Sequence, residues 1–388
     1  MKVTQVYQLL NAVTNEILGT TDIVKEDLSN VVDIGVQIFD ATSVDNYVKS
    51  LVDKVGRVIF VNRSYTGSAP SVLMENFEFG CVLQKIQADI PEATENESWE
   101  LEDGHSYDPN VFTKPVVSAK FFQKKVTFEV PMSFTEMQVK GSFSSAEELN
   151  SFISMLYNAV DKSMTVKLDA LIMRTINAMT GETIHAEYGS ASLASKSTTK
   201  AINLLYLYNH GPNAGGTAIT AEAAMTDPDF IRFAVREINI TRARMGKISK
   251  LFNVGGKARF TPADMLKTVM LADFKESADV YLQSDTFHDE YTKLVPADLI
   301  AYWQGPGDDN FDFDDVTAIN ITTPSGDDVS ATGILCVMFD RDALGVANMN
   351  KRTTSNYNPK AEFYNNWFKM DAGYFADLDE NYVVFFVA

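Results

Sequence analysis

A single long amphipathic helix constrains the fold more than any other feature of this sequence. Ser145-Ala-Glu-Glu148 matches the capping box, in which the serine accepts from the third helical amide and the glutamate reaches back to the serine's own amide. The pattern predicts a helix of about 30 residues, or about 45 Å, that ends at Gly181. The apolar stripe consists of Leu149, Phe152, Ile153, Leu156, Val160, Met164, Leu168, Leu171, Ile172 and Ile176.

Two β-rich segments precede this helix. Residues 73–89 and 115–133 predict two long strands, and the second is rich in β-branched and aromatic residues, with Lys120, Lys124 and Lys125 interspersed. The connection between them is acidic and exceeds the usual upper length of about 12 to 15 residues. Its Trp99 and Tyr107 favour a contact surface, and a mobile solvated loop is the alternative.

The remaining segments predict an arm before the strands and a mixed domain after the helix. Residues 3–18 have helical spacing, and residues 46–65 predict a helix that changes to a strand near Gly56. In the second half, residues 228–244 and 261–274 predict helices. Strands are expected at residues 315–324, 333–340 and 381–388. The fold class is therefore α+β.

The charge of the chain is strongly acidic. With 33 basic and 52 acidic residues, the formal net charge is −19, which disfavours nucleic-acid binding by the whole surface. One basic stretch, residues 232–259, includes Arg232 and Arg236, whereas residues 294–340 hold nine aspartates and no lysine or arginine. We favour pairing of these two stretches between subunits of a ring. An ordinary solvated surface is the second interpretation, and contact with DNA is the third.

Catalytic motifs are missing from the sequence. The four histidines are far apart and form no metal-binding motif, and there is no nucleophile elbow or phosphate-binding loop. Asp308, Asn310, Asp312 and Asp314 alternate like calcium ligands. An EF-hand loop would need glycine and glutamate where Phe313 and Ile319 stand, so an acidic solvated loop is preferred. We expect no enzyme, no cofactor and no metal.

The cysteines indicate a reducing compartment, and the apolar segments indicate neither a secretory signal nor a membrane span. Cys81 and Cys336 are distant in sequence and have no metal-binding partners nearby, so both are predicted to be buried free thiols, and a disulfide is the less favoured alternative. The amino terminus lacks the parts of a secretory signal. The longest apolar run, residues 383–388, is far shorter than the roughly 20 residues of a membrane span. A soluble cytoplasmic product without a membrane partner is expected.

Two segments carry a resemblance to a known family. Residues 46–65, NYVKSLVDKVGRVIFVNRSY, resemble the segment by which the arm enters the body in major head proteins of small-genome tailed phages. Residues 351–388 resemble their closing module, in which an NPK turn leads to an aromatic strand, an acidic turn and a last apolar strand. The chain thus resembles the major capsid proteins of tailed double-stranded DNA bacteriophages, which have the Hong Kong 97-type fold.

The resemblance implies a domain plan. Residues 1–62 would form the amino-terminal arm and residues 63–135 the extended loop. Residues 136–195 would form the peripheral domain with its spine helix, and residues 196–340 the axial domain. Residues 341–388 would return as strands of the peripheral domain. The hairpin of residues 73–133 would lie across a neighbouring subunit.

The implied function is a shell built from many copies. Hexamers and pentamers would close into an icosahedral or prolate head around the packaged double-stranded DNA, in the host cytoplasm first and in the virion finally. A separate scaffolding protein and a portal protein at one vertex would be partners, decoration proteins are left open, and no lysine crosslink is predicted. The expected contact residues are Trp99, Tyr107, Lys120, Lys124, Lys125, Arg232, Arg236, Asp308 and Asp312.

Two alternative functions compete with the phage head. An encapsulin-like compartment has the same fold and encloses an enzyme cargo in place of a genome. An α/β enzyme would act through a metal ion held by the acidic cluster at residues 308–315.

Overall fold

The computed structural model describes most of the chain from residue 112 onwards and parts of the segment before it. The described residues are 67, 70–74, 83–91, 93–95, 103–104, 110, 112–135, 146–283, 294–304, 312–361 and 363–388. The predictions for the arm, for Ser145, and for Cys81, Trp99, Tyr107 and Asp308 lie outside these residues. The described chain divides into two compact units, of which one contains residues 130–135, 146–163, 354–361 and 363–367 and the other contains the rest.

The described residues include thirteen strands and six α-helices. The strands are β1 (Leu73–Met74), β2 (Leu83–Ala88), β3 (Val117–Phe122), β4 (Lys125–Thr135), β5 (Ala201–Asn203), β6 (Leu266–Leu271), β7 (Asp298–Ile300), β8 (Ile319–Thr322), β9 (Asp328–Ala331), β10 (Ile334–Asp340), β11 (Leu344–Asn358), β12 (Phe363–Ala376) and β13 (Tyr382–Phe386). The helices are α1 (Ala146–Tyr188), α2 (Leu204–His210), α3 (Ala221–Ala224), α4 (Pro228–Met245), α5 (Ala272–Gln283) and α6 (Phe313–Thr317).

The long helix is confirmed, and it is longer than the sequence predicted. Helix α1 has 43 residues, which corresponds to about 65 Å at 1.5 Å per residue. The predicted end at Gly181 is wrong, since the helix continues to Tyr188. A Cβ atom at position 181 would lie 3.1 Å from the Cγ2 atom of Ile321, so glycine lets the β8–β9 hairpin approach the helix closely. One glycine weakens a helix by about 1 kcal/mol. Burial of the helical residues before and after Gly181 outweighs that cost.

The main core surrounds a five-stranded sheet with the order β5-β13-β10-β6-β7. Strand β10 is antiparallel to β13 and β6, whereas β13 is parallel to β5 and β6 is parallel to β7. Every residue of β10 and β13 is buried, which explains why both read as continuous apolar runs in the sequence. Helix α4 buries Phe230, Ile231 and Ile238 in the same core.

Two secondary-structure predictions of the second half need correction. The helix predicted at residues 261–274 is wrong, because residues 266–271 form β6 and the helix α5 begins only at Ala272. Strand β6 pairs on both sides, and its Val269, Met270 and Leu271 are fully buried. Apolar residues on both faces of a strand imitate helical spacing over a short stretch. The strand predicted at residues 315–324 is β8 alone, preceded by α6.

The second strand predicted before α1, at residues 115–133, consists of β3 and β4, which are interrupted at Gln123 and Lys124. Within the first, at residues 73–89, the structure describes β1 and β2, and residues 75–82 lie outside the described part. Strand β1 pairs in parallel with β11, in a sheet with the order β1-β11-β12-β4. Strands β2 and β3 form a separate antiparallel hairpin, with Leu83 opposite Phe122 at one end and Ala88 opposite Val117 at the other. We call this pair of strands the extended hairpin.

The five-part domain division stays a prediction. One observation differs from it: β13 belongs to the same sheet as the strands of residues 196–340, and not to the sheet of β11 and β12. The buried free thiol predicted at Cys336 is confirmed, and burial raises its pKa. Within the described part of the chain, no helix has the length and apolar character needed to cross a membrane.

We predict that Gly333→Ala destabilises the fold much more than Gly326→Ala does. Both glycines have positive φ, 81° and 98°, so each alanine carries backbone strain on the order of 1 kcal/mol or more. At Gly333 a Cβ atom would also lie 1.8 Å from the carbonyl oxygen of Val387, whereas nothing lies within 4 Å at Gly326. Urea unfolding should show a loss of about 3 kcal/mol or more for Gly333→Ala. Equal losses for the two variants would contradict the close packing of Gly333 against the carboxyl terminus.

Candidate functional site

The extended hairpin has a polar face and an apolar face. Because side chains alternate along a strand, Lys85 and Gln87 of β2 point to the same side as Lys120 of β3. Lys85 and Lys120 lie directly opposite each other in the register. Two like charges at such a position repel each other, so this arrangement needs a counter-charge.

The counter-charge is the turn between β12 and β13. Asp377 accepts hydrogen bonds from the Nζ atoms of Lys85, at 2.9 Å, and Lys120, at 2.7 Å. Asp379 accepts from Lys120 at 2.6 Å, and Glu380 accepts from Lys85 at 2.7 Å. The Asp377 side chain is 0% exposed, so its charge is compensated by these two lysines and not by water.

A segment after α4 completes the cluster. Arg259 donates to the side chain of Gln87, and its Nε atom lies 3.7 Å from Glu380. Gln87 donates to Glu380 at 2.8 Å. We call Lys85, Gln87, Lys120, Arg259, Asp377, Asp379 and Glu380 the hairpin anchor.

Local structure holds the acidic turn in place. The backbone amide of Asp377 donates to the carbonyl oxygen of Ala343 at 2.7 Å. The Asp377 carboxylate also accepts from the amide of Asp379 at 3.1 Å, which closes the turn. Beside the turn, the rings of Phe122 and Phe375 pack with their centroids 5.2 Å apart. Contacts other than those with the lysines therefore help to hold the acidic turn in place.

The pKa values in the anchor report how its charges compensate each other. Burial works to raise the pKa of Asp377, but the hydrogen bonds from Lys120 and Lys85 outweigh burial and hold the pKa below its ordinary value. Burial works to lower the pKa of Lys120, but the hydrogen bonds to Asp377 and Asp379 raise it above its ordinary value. Burial raises the pKa of Glu380, against the opposing effect of Lys85. On acidification Glu380 therefore protonates before Asp377.

The structure separates the lysines that the sequence grouped together. Lys120 is part of the hairpin anchor within its own chain, whereas Lys124 and Lys125 are exposed where β3 gives way to β4. Their role in contacts between subunits stays a prediction.

The basic and acidic stretches also have partners inside the chain. Arg232 lies 3.2 Å from Asp229, one turn earlier in α4, and Arg236 lies 2.7 Å from Glu237. Asp312 accepts from the amide of Asp315 at 3.0 Å and so caps α6. Among the residues that the structure describes, no group of three potential metal ligands comes together.

The sequence did not indicate the anchor, although it contained a partial signal. The acidic turn before the last strand was visible, but Lys85 is 292 positions away from Asp377 and Lys120 is 257 positions away. The sequence of β2 indicates a polar face, because Lys85 and Gln87 alternate with apolar residues. A basic strand face and an acidic turn have complementary charges, but no local sequence pattern predicts that these two distant segments contact each other.

The α+β body with its long helix and anchored extended hairpin matches the class of phage capsid subunits with the Hong Kong 97-type fold. A chain from the capsid structure of Staphylococcus phage Andhra superposes with a TM-score of 0.51 at 9% identity, covering 86% of this chain and 87% of that chain. A chain from the structure of head fiber and inner core protein gp22 of native bacteriophage P68 superposes with a TM-score of 0.54 at 8% identity, covering 86% and 88%. At such low identity these likenesses establish the fold alone.

The family follows from the sequence comparison. The family model for the Phi29-like phage major capsid protein matches residues 10–386, and the chain belongs to this family. It is a major capsid protein that assembles with copies of itself into the shell of a phage head, and it is a component of the virion. A comparison with curated protein sequences gave no match.

We predict that Asp377→Asn loosens the hairpin anchor. The amide keeps the shape of the side chain but removes the charge that compensates Lys85 and Lys120. The expected loss of unfolding free energy is about 2 kcal/mol, after a discount for the partly exposed lysines. Asp229→Asn, which removes the partner of Arg232 at an exposed ion pair, serves as the control and should change much less. Equal effects of the two substitutions would show that the anchor is no stronger than a surface ion pair.

We also predict a pH window for the difference in stability between the unchanged chain and Asp377→Asn. The pKa of Asp377 is lowered on folding, so its contribution is present above the ordinary value of 3.8 and is lost as pH falls through the lowered pKa. The pKa of Lys120 is raised, so its contribution is present below 10.5 and is lost as pH rises through the raised pKa. Urea unfolding at several pH values should give the largest difference inside this window. A difference that is independent of pH would contradict the charge pairing.

Proposed function

We propose that this capsid protein assembles as hexamers and pentamers that close into an icosahedral or prolate head around double-stranded DNA. A separate scaffolding protein acts during assembly, and a portal protein occupies one vertex. The chain acts through contacts between subunits and not through catalysis. Membership of the Phi29-like family supports this proposal over an encapsulin-like compartment.

The observation that carries the proposal is the outward apolar face of the extended hairpin. Ile86 is 65% exposed, Val117 56% and Phe121 59%, while the polar face of the same hairpin packs against the body through the hairpin anchor. A soluble monomer normally has the opposite arrangement, with polar residues outside. An apolar sheet face held outwards needs a partner, and in a self-assembling shell a neighbouring subunit supplies it.

Charged contacts between subunits complete the proposal. Arg232 and Arg236 form exposed pairs within α4, and such pairs contribute little and exchange partners readily. Arg232 and Arg236 would exchange these partners for acidic residues of the next subunit around a capsomer, including Asp308 and Asp312. Family membership also favours the shell over a metal-dependent enzyme that uses residues 308–315.

DNA contact is proposed to be local and weak. Arg244, Lys247 and Lys250 are exposed at the end of α4 and in the segment that follows it. A chain with a net charge of −19 repels DNA elsewhere on its surface, so binding should depend steeply on salt.

We predict that Ile86→Asp and Phe121→Asp reduce shell formation without unfolding the subunit. Both side chains lie on the exposed face, so a carboxylate there is tolerated by the monomer but is buried unpaired at an apolar interface. The measurement is electron microscopy of the protein expressed together with its neighbouring scaffolding gene, with circular dichroism as the check of folding. Ser190→Asp, at an exposed position away from the hairpin, is the control.

Closed shells from the unchanged chain and from the control, and few or none from the two hairpin variants, are the expected result. A monodisperse monomer from the unchanged chain with scaffold present would overturn the proposed assembly. Shells at the normal yield from Ile86→Asp and Phe121→Asp would overturn the role of the apolar face.

A further inference from the structure

A cavity of about 340 Å³ opens beside the foot of the extended hairpin, at the end where Leu83 pairs with Phe122. Its volume lies near the lower end of the range for small-molecule sites, which is about 300 to 1,000 Å³. Its described walls come from the end of β3 and the two residues after it, from α1, from the end of β8 with the turn that follows, and from the end of β12. All of these belong to the same compact unit. The cavity is therefore a feature of the packed body of the subunit.

Four aromatic residues contribute to the wall of the cavity. They are Phe121, Phe122, Tyr374 and Phe375. The rings of Phe122 and Phe375 pack with their centroids 5.2 Å apart. The backbone amide of Tyr374 donates to the carbonyl oxygen of Lys124 at 3.1 Å, which ties β12 to the end of β3. Aromatic side chains fixed in this way are suited to contact a flat ring by stacking or edge-on packing.

The cavity also presents positive charge and a hydrogen-bond donor. Lys124 and Arg174 line it and are exposed, and neither forms an ion pair with a carboxylate of the described residues. The buried Thr323 accepts from the amide of Asp327 at 3.1 Å, and its hydroxyl proton has no acceptor within the described part of the chain. None of the described lining residues is acidic. The lining therefore favours an anion that has several acceptor oxygens.

A phosphate monoester matches these groups in charge and in number. It carries a charge of about −1.5 to −2 at neutral pH and presents three strong acceptor oxygens. Lys124 and Arg174 balance that charge, and a guanidinium group binds phosphate through two parallel N–H donors. The aromatic wall adds the requirement for a ring. We propose that the cavity is a binding site for a nucleoside monophosphate, with its base against the aromatic residues and its phosphate at Lys124, Arg174 and Thr323.

Two sources carry this chemistry. One is a free mononucleotide, and the other is the 5′-phosphorylated end of a DNA strand. Either ligand approaches a chain with a net charge of −19, so binding depends on local cations that outweigh the surrounding acidity. The inference goes beyond the proposed assembly, since closure of a shell does not require a nucleotide site.

The first test is isothermal titration calorimetry of the full-length chain, expressed without its scaffolding gene, with adenosine 5′-monophosphate. Saturable binding of one ligand per chain is expected. Adenosine lacks the phosphate and inorganic phosphate lacks the ring, so each should bind at least about tenfold more weakly. No saturable binding of the nucleotide, or equal affinity for the nucleotide and either fragment, would overturn the proposal.

Charge variants test whether Lys124 and Arg174 hold the phosphate. Lys124→Gln together with Arg174→Gln should weaken nucleotide binding about tenfold, as expected for two exposed charged contacts. Lys114→Gln together with Arg341→Gln is the matched control, because it changes the net charge equally at exposed positions that do not line the cavity. Circular dichroism checks the folding of both double variants. Equal weakening by the two pairs would indicate a general effect of charge and would overturn the site.

Photochemical labelling locates the ring. The probe 8-azidoadenosine 5′-monophosphate should label residues 121–124 or 374–376, which mass spectrometry of the digested chain identifies. Labelling of other segments alone would overturn the inference.

Competition against this label distinguishes the two sources. A 5′-phosphorylated DNA oligonucleotide that competes, while the same oligonucleotide without its 5′ phosphate does not, would assign the site to the end of a DNA strand. Competition by adenosine 5′-monophosphate and by neither oligonucleotide would assign it to a free mononucleotide. Equal competition by the two oligonucleotides would overturn the recognition of a phosphate monoester.

Discussion

The rest of the extended hairpin's structure depends on the charge compensation around Asp377. Lys85 and Lys120 face each other across the hairpin and would repel if their side of the sheet met an apolar surface. The buried carboxylate between them makes the polar side the inner side. Because side chains alternate with a period of two, the same pairing forces Ile86, Val117 and Phe121 outwards. One ionic cluster thus decides which face of the hairpin is available to a neighbouring subunit.

This use of charge suits a subunit that folds alone and then assembles. A buried ion pair contributes little net stability compared with apolar packing, but it tolerates few alternative geometries, since a displaced partner leaves a charge without compensation. The hairpin is therefore fixed in orientation and register. The carboxyl-terminal strands supply both the acidic turn and β13 of the central sheet, so the hairpin is attached to the most buried part of the molecule. Acidity elsewhere on the surface keeps monomers apart until specific contacts form.

Local patterns predicted the elements of this fold, and long-range packing decided the rest. The apolar stripe from Val160 to Ile176 and the runs at β10 and β13 were sufficient to predict a helix and two buried strands. The sequence predicted a helix end at Gly181 and a helix over residues 266–271, and both predictions were wrong. The close approach of the β8–β9 hairpin to α1 and the pairing of β6 on both sides depend on residues that are distant in sequence. The hairpin anchor joins residues more than 250 positions apart, which no periodicity in one sequence can predict.

The most direct test of this account is a cryo-electron microscopy reconstruction of the assembled shell at a resolution that shows side chains. The account predicts that Lys85 and Lys120 contact Asp377 and Glu380 of the same chain in every symmetry-distinct subunit, with Ile86 and Phe121 covered by a neighbour. Lysines that pair with carboxylates of an adjacent subunit, or an apolar face that turns inwards against its own body, would contradict it.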